Sequence, residues 1–454
     1  MVTVTRLISH QDPQTPLRPG KLAPWWNRDA LLRMLADLLQ AELSRLRPGG
    51  LGLDTSLLQV LQTGPAEAPP ALAALELDAL QLDSLEFLDI ATLTAIQFHL
   101  QQTGLDTELL QQRRLGTWVD LILESRRRWD AAISFQTSGS TGQPKLCRHA
   151  MHQLEQEIRW FADQLCDRRR LLSSVPAHHI YGFLFSVMLP AVLQIPVLDL
   201  RRGLPSSALI QARPGDLILG HPAFFALALR GQPRLAADVT LLSSTAACPA
   251  ALWQQLKAAG CARMIEIYGS TETAGIGTRE AAEAPFRLLP FWSRVGDKIH
   301  QQQGDLETRG VSEPVRIQDQ LQWLDDQHFQ VLGRRDNAVQ IAGINVFPQR
   351  VERLLCSHPE VAEAAVRQAS PEQGGRLKAF VVPAIACTAP ETLPQRLDTW
   401  LASQVSALER PRAIRIGTQL PCASTGKLSD WDDDTPPSQA ETGPRLDIGQ
   451  APKH

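Results

Sequence analysis

Apolar residues recur at three- and four-residue spacing over 29–46, where Leu31, Leu32, Met34, Leu35, Leu38, Leu39 and Leu43 share one side. That spacing predicts an amphipathic helix, stopped by Pro48, Gly49 and Gly50. A looser stretch of leucine, alanine and proline runs to Leu80, and helical spacing returns over 82–100 and 118–127. Asp83 or Ser84 is placed to cap the first of these, with Glu86 in the turn where the helix dipole favours an acid. From residue 131 the pattern changes. Short apolar runs at 132–135, 171–175, 196–200, 216–219, 239–243 and 264–268 alternate with helical stretches such as 151–165. This alternation predicts an α/β fold with largely parallel strand pairing. Beyond Gly333 the periods describe a small α+β unit: helix 348–357, strands 361–367 and 377–382, helix 393–408 and a last strand 413–416. From Asp432 acid, proline, serine and glycine dominate, a composition that predicts disorder. The expected division is an arm (1–28), a helical region (29–130), a larger α/β domain (131–335), a small domain (336–432) and a disordered tail (433–454).

Composition changes this picture little. Charged residues make up 20% and the net charge is −3, the balance of a soluble globular protein with no reason to bind nucleic acid. The basic runs at 126–128 and 168–170 stand at helix-like ends, where cations suit the dipole and water solvates them. Seven cysteines, an odd number with no C-x-x-C spacing, argue against a disulfide framework and for reduced thiols in a cytoplasmic protein. No run of 18 or more apolar residues occurs, so no membrane span is expected. The polar, proline-containing N-terminus does not read as a signal peptide.

The chemistry concentrates in one loop. A strand-like run ending at Phe135 enters Thr137-Ser138-Gly139-Ser140-Thr141-Gly142, followed by Pro144 and Lys145. Glycines let successive backbone N–H groups converge on an anion, hydroxyls add donors, and lysine adds charge. The loop is not G-x-x-x-x-G-K-[ST], because Pro144 precedes the lysine and Leu146 follows it. It closely resembles the phosphate-binding loop of the adenylate-forming superfamily, which comprises acyl-CoA synthetases, nonribosomal-peptide adenylation domains and luciferases.

Five further stretches match that superfamily in order, so the resemblance covers roughly 131–428. Read by residue type alone, His178 and His179 lie on an extended segment and point to opposite sides, which disfavours a two-histidine metal site. The resemblance implies that His179, Tyr181 and Gly182 line the carboxylate and acyl pocket, with Gly275 beside them. It implies that Thr245, Ala246 and Ala247 lie against adenine, that Tyr268 stacks near it with Gly269 and Ser270 in the same nucleotide-binding turn, and that Thr271 bonds the α-phosphate. Glu272 would bind Mg²⁺, which suits a hard dication that takes one or two carboxylates beside phosphate oxygens. Asp319 and Arg334 would hold the ribose, although Ile317 and Gln318 replace the usual Thr-Gly. Asp336 would be the hinge, Gly343 would border the thiol tunnel, and Lys427 would be the catalytic lysine. The position more often lysine in the family is Gln340, and the arginine often found after the catalytic lysine is absent from 428–430.

The resemblance therefore implies a large N-terminal adenylating domain of parallel and mixed sheets with helices, followed by a small mobile α+β lid. It implies a ligase that uses ATP and Mg²⁺ to form an acyl-AMP, then passes the acyl group to a pantetheine thiol of coenzyme A or an acyl carrier protein. His178 to Gly182, together with the Asp83-Ser84-Leu85 helix, looks most like the short ligases of bacterial aryl-polyene and related yellow-pigment pathways. Those ligases activate hydroxybenzoate- or cinnamate-type acids, and an aromatic wall near Tyr181 and Phe183 is compatible with that. The region 29–130 is similar to an acyl carrier protein, with Ser84 where phosphopantetheine attaches. Two other readings stand beside the ligase: a carrier-fused enzyme loading its own Ser84, and a non-catalytic nucleotide-binding scaffold. The joint presence of Lys145, Glu272, Asp319 and Lys427 argues against the scaffold.

Overall fold

A computed structural model of the 454-residue chain describes residues 22–47, 69–137, 145–201, 203–295, 298–301, 317, 319–334, 338–342, 344–370, 373–421 and 431. The chain forms two compact units that divide mainly at 335/336, with Ala342 and Ile344 grouped with the larger one.

The larger unit is built on a nine-stranded sheet. Its strands are β3 (Arg170–Ser173), β4 (Val197–Asp199), β5 (Asp216–Gly220), β6 (Thr240–Ser243), β7 (Arg263–Ser270), β8 (Ala274–Arg279), β9 (Phe286–Leu288), β12 (Asp319–Trp323) and β13 (His328–Arg334), in the order β12-β13-β9-β8-β7-β6-β5-β3-β4. From β4 to β7 the neighbours are parallel, as the alternating pattern predicts. From β7 to β12 they are antiparallel. Apolar runs such as Leu217, Ile218 and Leu219 are buried on both faces, as parallel strands sandwiched between helices must be.

A separate antiparallel hairpin pairs β1 (Ala132–Thr137) with β2 (Lys145–Ala150), the two strands that flank the serine- and glycine-rich stretch in sequence. The helix expected after the loop is present as Met151–Gln164, with the unforeseen strand β2 between them. Trp292–Val295 and Lys298–Gln301 form another two-stranded ribbon, β10 and β11.

The helical region resembling a carrier contains helices Arg28–Leu46, Ser84–Phe98 and Leu115–Arg128. Asp83 caps the second through a complete capping box with Glu86. This region shares one core with the sheet: Leu35, Leu39, Phe98 and Trp118 belong to the same buried cluster as Phe135, Phe183 and Ile265. Each fully buried aliphatic or aromatic side chain stabilises by about 1.5–3 kcal/mol, so the helices are held by the sheet as much as by their own propensity. Polar groups fasten the same seam. Arg126 is buried and donates to the carbonyls of Phe98 (2.9 Å) and Ala132 (2.7 Å), and burial pushes its guanidinium down to about 10. Arg168 is also buried, between Asp167 and Asp238. These two arginines correct the expectation that both basic runs are solvated, although Arg127 and Arg128 do remain exposed beside Glu124.

The expected arm ends before Trp25 and Trp26, which are buried; the Trp26 indole donates to Asp130 at 2.8 Å. Residues 1–21 lie outside the described residues, as does the expected tail.

The smaller unit has β16 (Val361–Gln368), β17 (Leu377–Pro383) and β18 (Ala413–Ile416) in one sheet, covered by helices Pro348–Ser357 and Leu393–Ala402 around Val351, Leu355, Leu397 and Leu401. The last helix stops six residues short of the expected end, because Ser403 to Leu408 fold as turns. The ribbon β14 (Val339–Ile341) with β15 (Ile344–Val346) precedes this sheet.

One glycine fixes how the chain leaves β3. A Cβ on Gly182 would stand 1.7 Å from the Pro176 carbonyl oxygen, so only hydrogen fits where the following helix turns back on the loop. Gly182→Ala is expected to destabilise the larger unit by about 2 kcal/mol or more. Urea unfolding of both proteins checks this, and an unchanged midpoint would contradict it.

Candidate active site

Three motif loops leave the C-terminal ends of parallel strands: 174–179 after β3, 244–249 after β6, and the end of β7 itself. In open α/β sheets this edge forms the ligand crevice. Side chains knit the loops together. Tyr181 donates to the Gly220 carbonyl at the end of β5 (3.1 Å), and Ser244 donates to the Ile267 carbonyl on β7 (2.8 Å).

The turn after β7 is the most constrained part of the site. β7 and β8 pair antiparallel with a bulge between Tyr268 and Gly269, and Ala274 is forced to a φ of +59°. Gly269 has no room for a Cβ, which would lie 2.1 Å from the Ala274 carbonyl oxygen. Ser270 and Thr273 bond each other across the turn (3.0 Å). Thr271 is half-buried and Glu272 exposed. Glu272 makes no hydrogen bond or ion pair to another described residue, while its charge reaches Cys147 and His149 on β2. Burial, with Glu272 second, pushes the Cys147 thiol up to about 11, so it is not a ready nucleophile.

Tyr268 and Asp319 are in direct contact. The phenol donates to Asp319 Oδ2 at 2.6 Å, with the Tyr268 ring packed against both Phe286 and Phe329, which stack on each other. Asp319 is register-paired with Arg334 across β12 and β13. Three residues expected at the nucleotide thus fall together. The 245–247 segment is half-buried to exposed, with Thr245 at a φ of +73°. It is set from behind by Glu266, whose carboxylate accepts from Cys248 N (2.9 Å) and pairs with Arg279 (2.9 Å).

The histidine pair differs from expectation. The segment is a turn rather than extended, so the His178 and His179 rings face each other with centroids 3.9 Å apart. Among the described residues no cluster of three or more metal-binding side chains occurs. His179 is exposed at the loop surface while its ring packs on His178, and desolvation lowers its imidazole to about 4. His178 is driven well below its usual value by burial, then by His179 and Arg201. Gln97 donates to the His178 carbonyl (3.1 Å), and Asp37 accepts from Ala177 N (2.6 Å), so two N-terminal helices hold this loop. Phe183, expected at an aromatic wall, is instead core: it is fully buried against Trp26 and Phe135.

Several site residues lie outside the described residues: Ser138, Gly139, Ser140, Thr141, Gly142, Asp336, Gly343 and Lys427. Thr137 and Arg334 are described as strand positions only, while Lys145 opens β2 with an exposed side chain. A cavity of about 570 Å³ lined by Trp25, Asp130, Met151 and His152 touches none of the site residues.

The chain matches the AMP-binding enzyme family over residues 70–297 and the AMP-binding enzyme C-terminal domain over 350–427. It is 38% identical to a 4-coumarate–CoA ligase of Halorhodospira halophila, across 88% of this chain and 99% of that protein. A 4-coumarate–CoA ligase of Cereibacter sphaeroides is 37% identical, across 91% and 99%. The fold is also that of o-succinylbenzoate CoA synthetase from Bacillus subtilis, with a TM-score of 0.54, 19% identity and coverage of 71% and 72%. The class is the adenylate-forming acyl- and aryl-CoA ligases, acid–thiol ligases that form AMP. The chain belongs to the AMP-binding enzyme family within it.

One buried group beside the site escaped the sequence reading. Glu157, on helix Met151–Gln164, is 1% exposed and has no cation partner among the described residues; both carboxyl oxygens lie within 3.2 Å of Gly275 N. A Cβ on Gly275 would meet Glu157 Oε1 at 2.4 Å, so that glycine is required by the carboxyl behind it. Burial, opposed by the Gly275 N–H, pushes Glu157 up to about 8 from 4.5. The native state therefore keeps a proton that the unfolded chain releases between those values. Stability should fall with rising pH across that window, by about 1.4 kcal/mol per pH unit, and level off above it. Glu157→Gln should abolish the slope. Urea titrations between pH 5 and pH 8.5 test this, and parallel pH profiles for the two proteins would contradict it.

Proposed function

We propose that the protein adenylates a small aromatic carboxylic acid of the hydroxycinnamate or hydroxybenzoate type and passes the acyl group to a pantetheine thiol. Coenzyme A is the favoured acceptor, with an acyl carrier protein as the alternative. The observation that carries this reading is the near-full-length likeness to 4-coumarate–CoA ligases, found in a chain whose Tyr268–Asp319 pair and Glu272 turn sit at one sheet edge. Hydroxybenzoates stand beside 4-coumarate in this proposal because 178–182 and the Asp83-Ser84-Leu85 helix resemble those of pigment-pathway ligases. A cytoplasmic setting fits cysteines that are free wherever they are described.

In the first half-reaction a carboxylate oxygen attacks the α-phosphorus of ATP, the bond to pyrophosphate breaks, and acyl-AMP forms. Loop 137–142 and Lys145 would hold the leaving phosphates, Thr271 the α-phosphate, and Asp319 with Arg334 the ribose. Tyr268, Gly269, Ser270 and 245–247 would hold the purine. His179, Tyr181, Gly182 and Gly275 would line the acyl pocket. Glu272, exposed and without a partner among the described residues, fits a magnesium ion shared with ATP. Such an ion, when bound, neutralises phosphate charge. Lys427 would stabilise the charge that develops between carboxylate and α-phosphate.

In the second half-reaction the thiol sulfur attacks the acyl carbon, AMP leaves and the thiol proton is released. The small domain, 336–432, would turn about Asp336 to replace Lys427 with the Gly343 segment.

A second reading keeps one specific observation. Ser84 is exposed at the first turn of its helix, beside Leu85 (73% exposed) and Leu88 (46%), an open apolar ledge suited to a modifying or docking protein. Intact mass after co-expression with a phosphopantetheinyl transferase tests it. Absence of the mass increment would remove that reading.

ATP–pyrophosphate exchange with a panel of cinnamates and benzoates tests the main proposal. Glu272→Gln should lower exchange by about two or more orders of magnitude. Lys427→Ala should do likewise, yet convert supplied acyl-AMP to thioester at close to the wild-type rate. Loss of both half-reactions alike in folded Lys427→Ala would contradict domain alternation, and exchange by Glu272→Gln equal to wild type would remove Glu272 from the metal.

A further inference from the structure

Strand β2 presents alternate residues to one face, so Lys145, Cys147 and His149 stand in a row, with Leu146 and Arg148 on the other side. This row faces the turn after β7, since the Glu272 charge acts on both Cys147 and His149. Among the described residues His149 ties the hairpin to the turn: Nε2 lies 2.6 Å from the Thr271 carbonyl oxygen. A carbonyl only accepts, so Nε2 carries the proton. His149 is 7% exposed, so this bond is made away from water. Its ring is seated beside Phe135 on the partner strand, centroids 6.0 Å apart.

The other end of the turn is clamped as well. Glu157 accepts from Gly275 N, and the Trp292 indole donates to the Gly275 carbonyl at 2.7 Å. Between these anchors the only carboxylate is Glu272, itself without a bond to any described residue. Its direction is therefore set by the backbone at Thr271 and Gly275.

We propose that His149 is a positioning residue: by holding the Thr271 carbonyl it aims Glu272 and Thr271 at the metal-bound triphosphate and couples the turn to the lysine-bearing hairpin. This rests on the adenylation reading above. Placing Lys145 and His149 on one strand face makes the two phosphate-facing segments move as one piece. A loosened turn would let Glu272 wander by an ångström or more, a misplacement that costs about a hundredfold in an oriented reaction.

The test compares His149→Phe, which keeps the ring but not the donor, with His149→Gln, whose amide nitrogen reaches the Nε2 position. His149→Asn, whose amide falls short, serves in place of the phenylalanine variant should that one not fold. Calorimetric titration with magnesium and α,β-methylene-ATP reads binding without turnover. Pyrophosphate exchange across a magnesium series reads half-saturation, and thioester formation from synthetic acyl-AMP reads the second half-reaction. The expected result for His149→Phe is about tenfold weaker nucleotide binding, magnesium half-saturation raised severalfold, and kcat/KM for ATP down by about tenfold to a hundredfold. Acyl transfer from acyl-AMP should stay near wild type, and His149→Gln should recover most of each loss. Unchanged binding and magnesium dependence in His149→Phe, beside an active wild type, would overturn the proposal alone. Equal loss of both half-reactions, or no recovery in His149→Gln, would show a merely structural histidine and overturn it too. A wild type that binds no nucleotide in the presence of magnesium would overturn both this proposal and the adenylation reading.

Discussion

The pairing of β7 sets the geometry of the larger unit. On one side β7 runs parallel to β6, and on the other antiparallel to β8. A strand that changes pairing sense must end in a tight return, and here that return is a bulge, a glycine with no space for a Cβ, and an alanine held at positive φ. Each costs conformational free energy, of order 1–3 kcal/mol for a non-glycine residue held in a sparsely populated region. The turn persists because groups behind it over-determine it: a histidine on one carbonyl, a buried carboxyl on an amide, and an indole on the opposite carbonyl. The result is a clamped turn on which the Glu272 carboxylate stays exposed and has no bond to another described residue.

The same logic extends to the neighbouring loops. Buried acids reach backbone N–H groups rather than cations alone: Asp37 holds Ala177, Glu157 holds Gly275, and Glu266 holds Cys248. Each bond fastens backbone at the C-terminal edge of the parallel strands from the protein side. The N-terminal helices belong to this scaffold. Gln97, Arg126 and Asp37 join them to the hairpin and to the histidine loop, and the apolar core runs through without a break. A region resembling a carrier protein thus serves as a wall of the larger unit, whether or not Ser84 is ever modified.

Much of this was legible in the residues. The period-two and period-3.6 patterns place the parallel strands and the main helices, and the motif spacing gathers Tyr268 and Asp319, which meet at 2.6 Å. What escaped did so for physical reasons. Strand β2 has too few apolar residues to declare itself, and forms because β1 lies beside it. The histidine pair was read as extended, but the chain turns there to pack Gly182 on Pro176. Arg126 looked like a solvated cation and is instead a buried donor to two carbonyls. Glu157 and Asp37 did leave a signal. Each is an acid on the apolar face of its helix, between Leu154, Ile158 and Phe161 in one case and Met34 and Leu38 in the other. An acid in such a position has to have a buried donor waiting for it.

The central claim is that the acid's own oxygen attacks the α-phosphorus at this sheet edge. Turnover of 4-coumarate labelled with oxygen-18 in its carboxylate tests it directly, with the products AMP and pyrophosphate separated and weighed by mass spectrometry. The account predicts one labelled oxygen in AMP and none in pyrophosphate. Label in pyrophosphate or inorganic phosphate, or unlabelled AMP with thioester still formed, would contradict it.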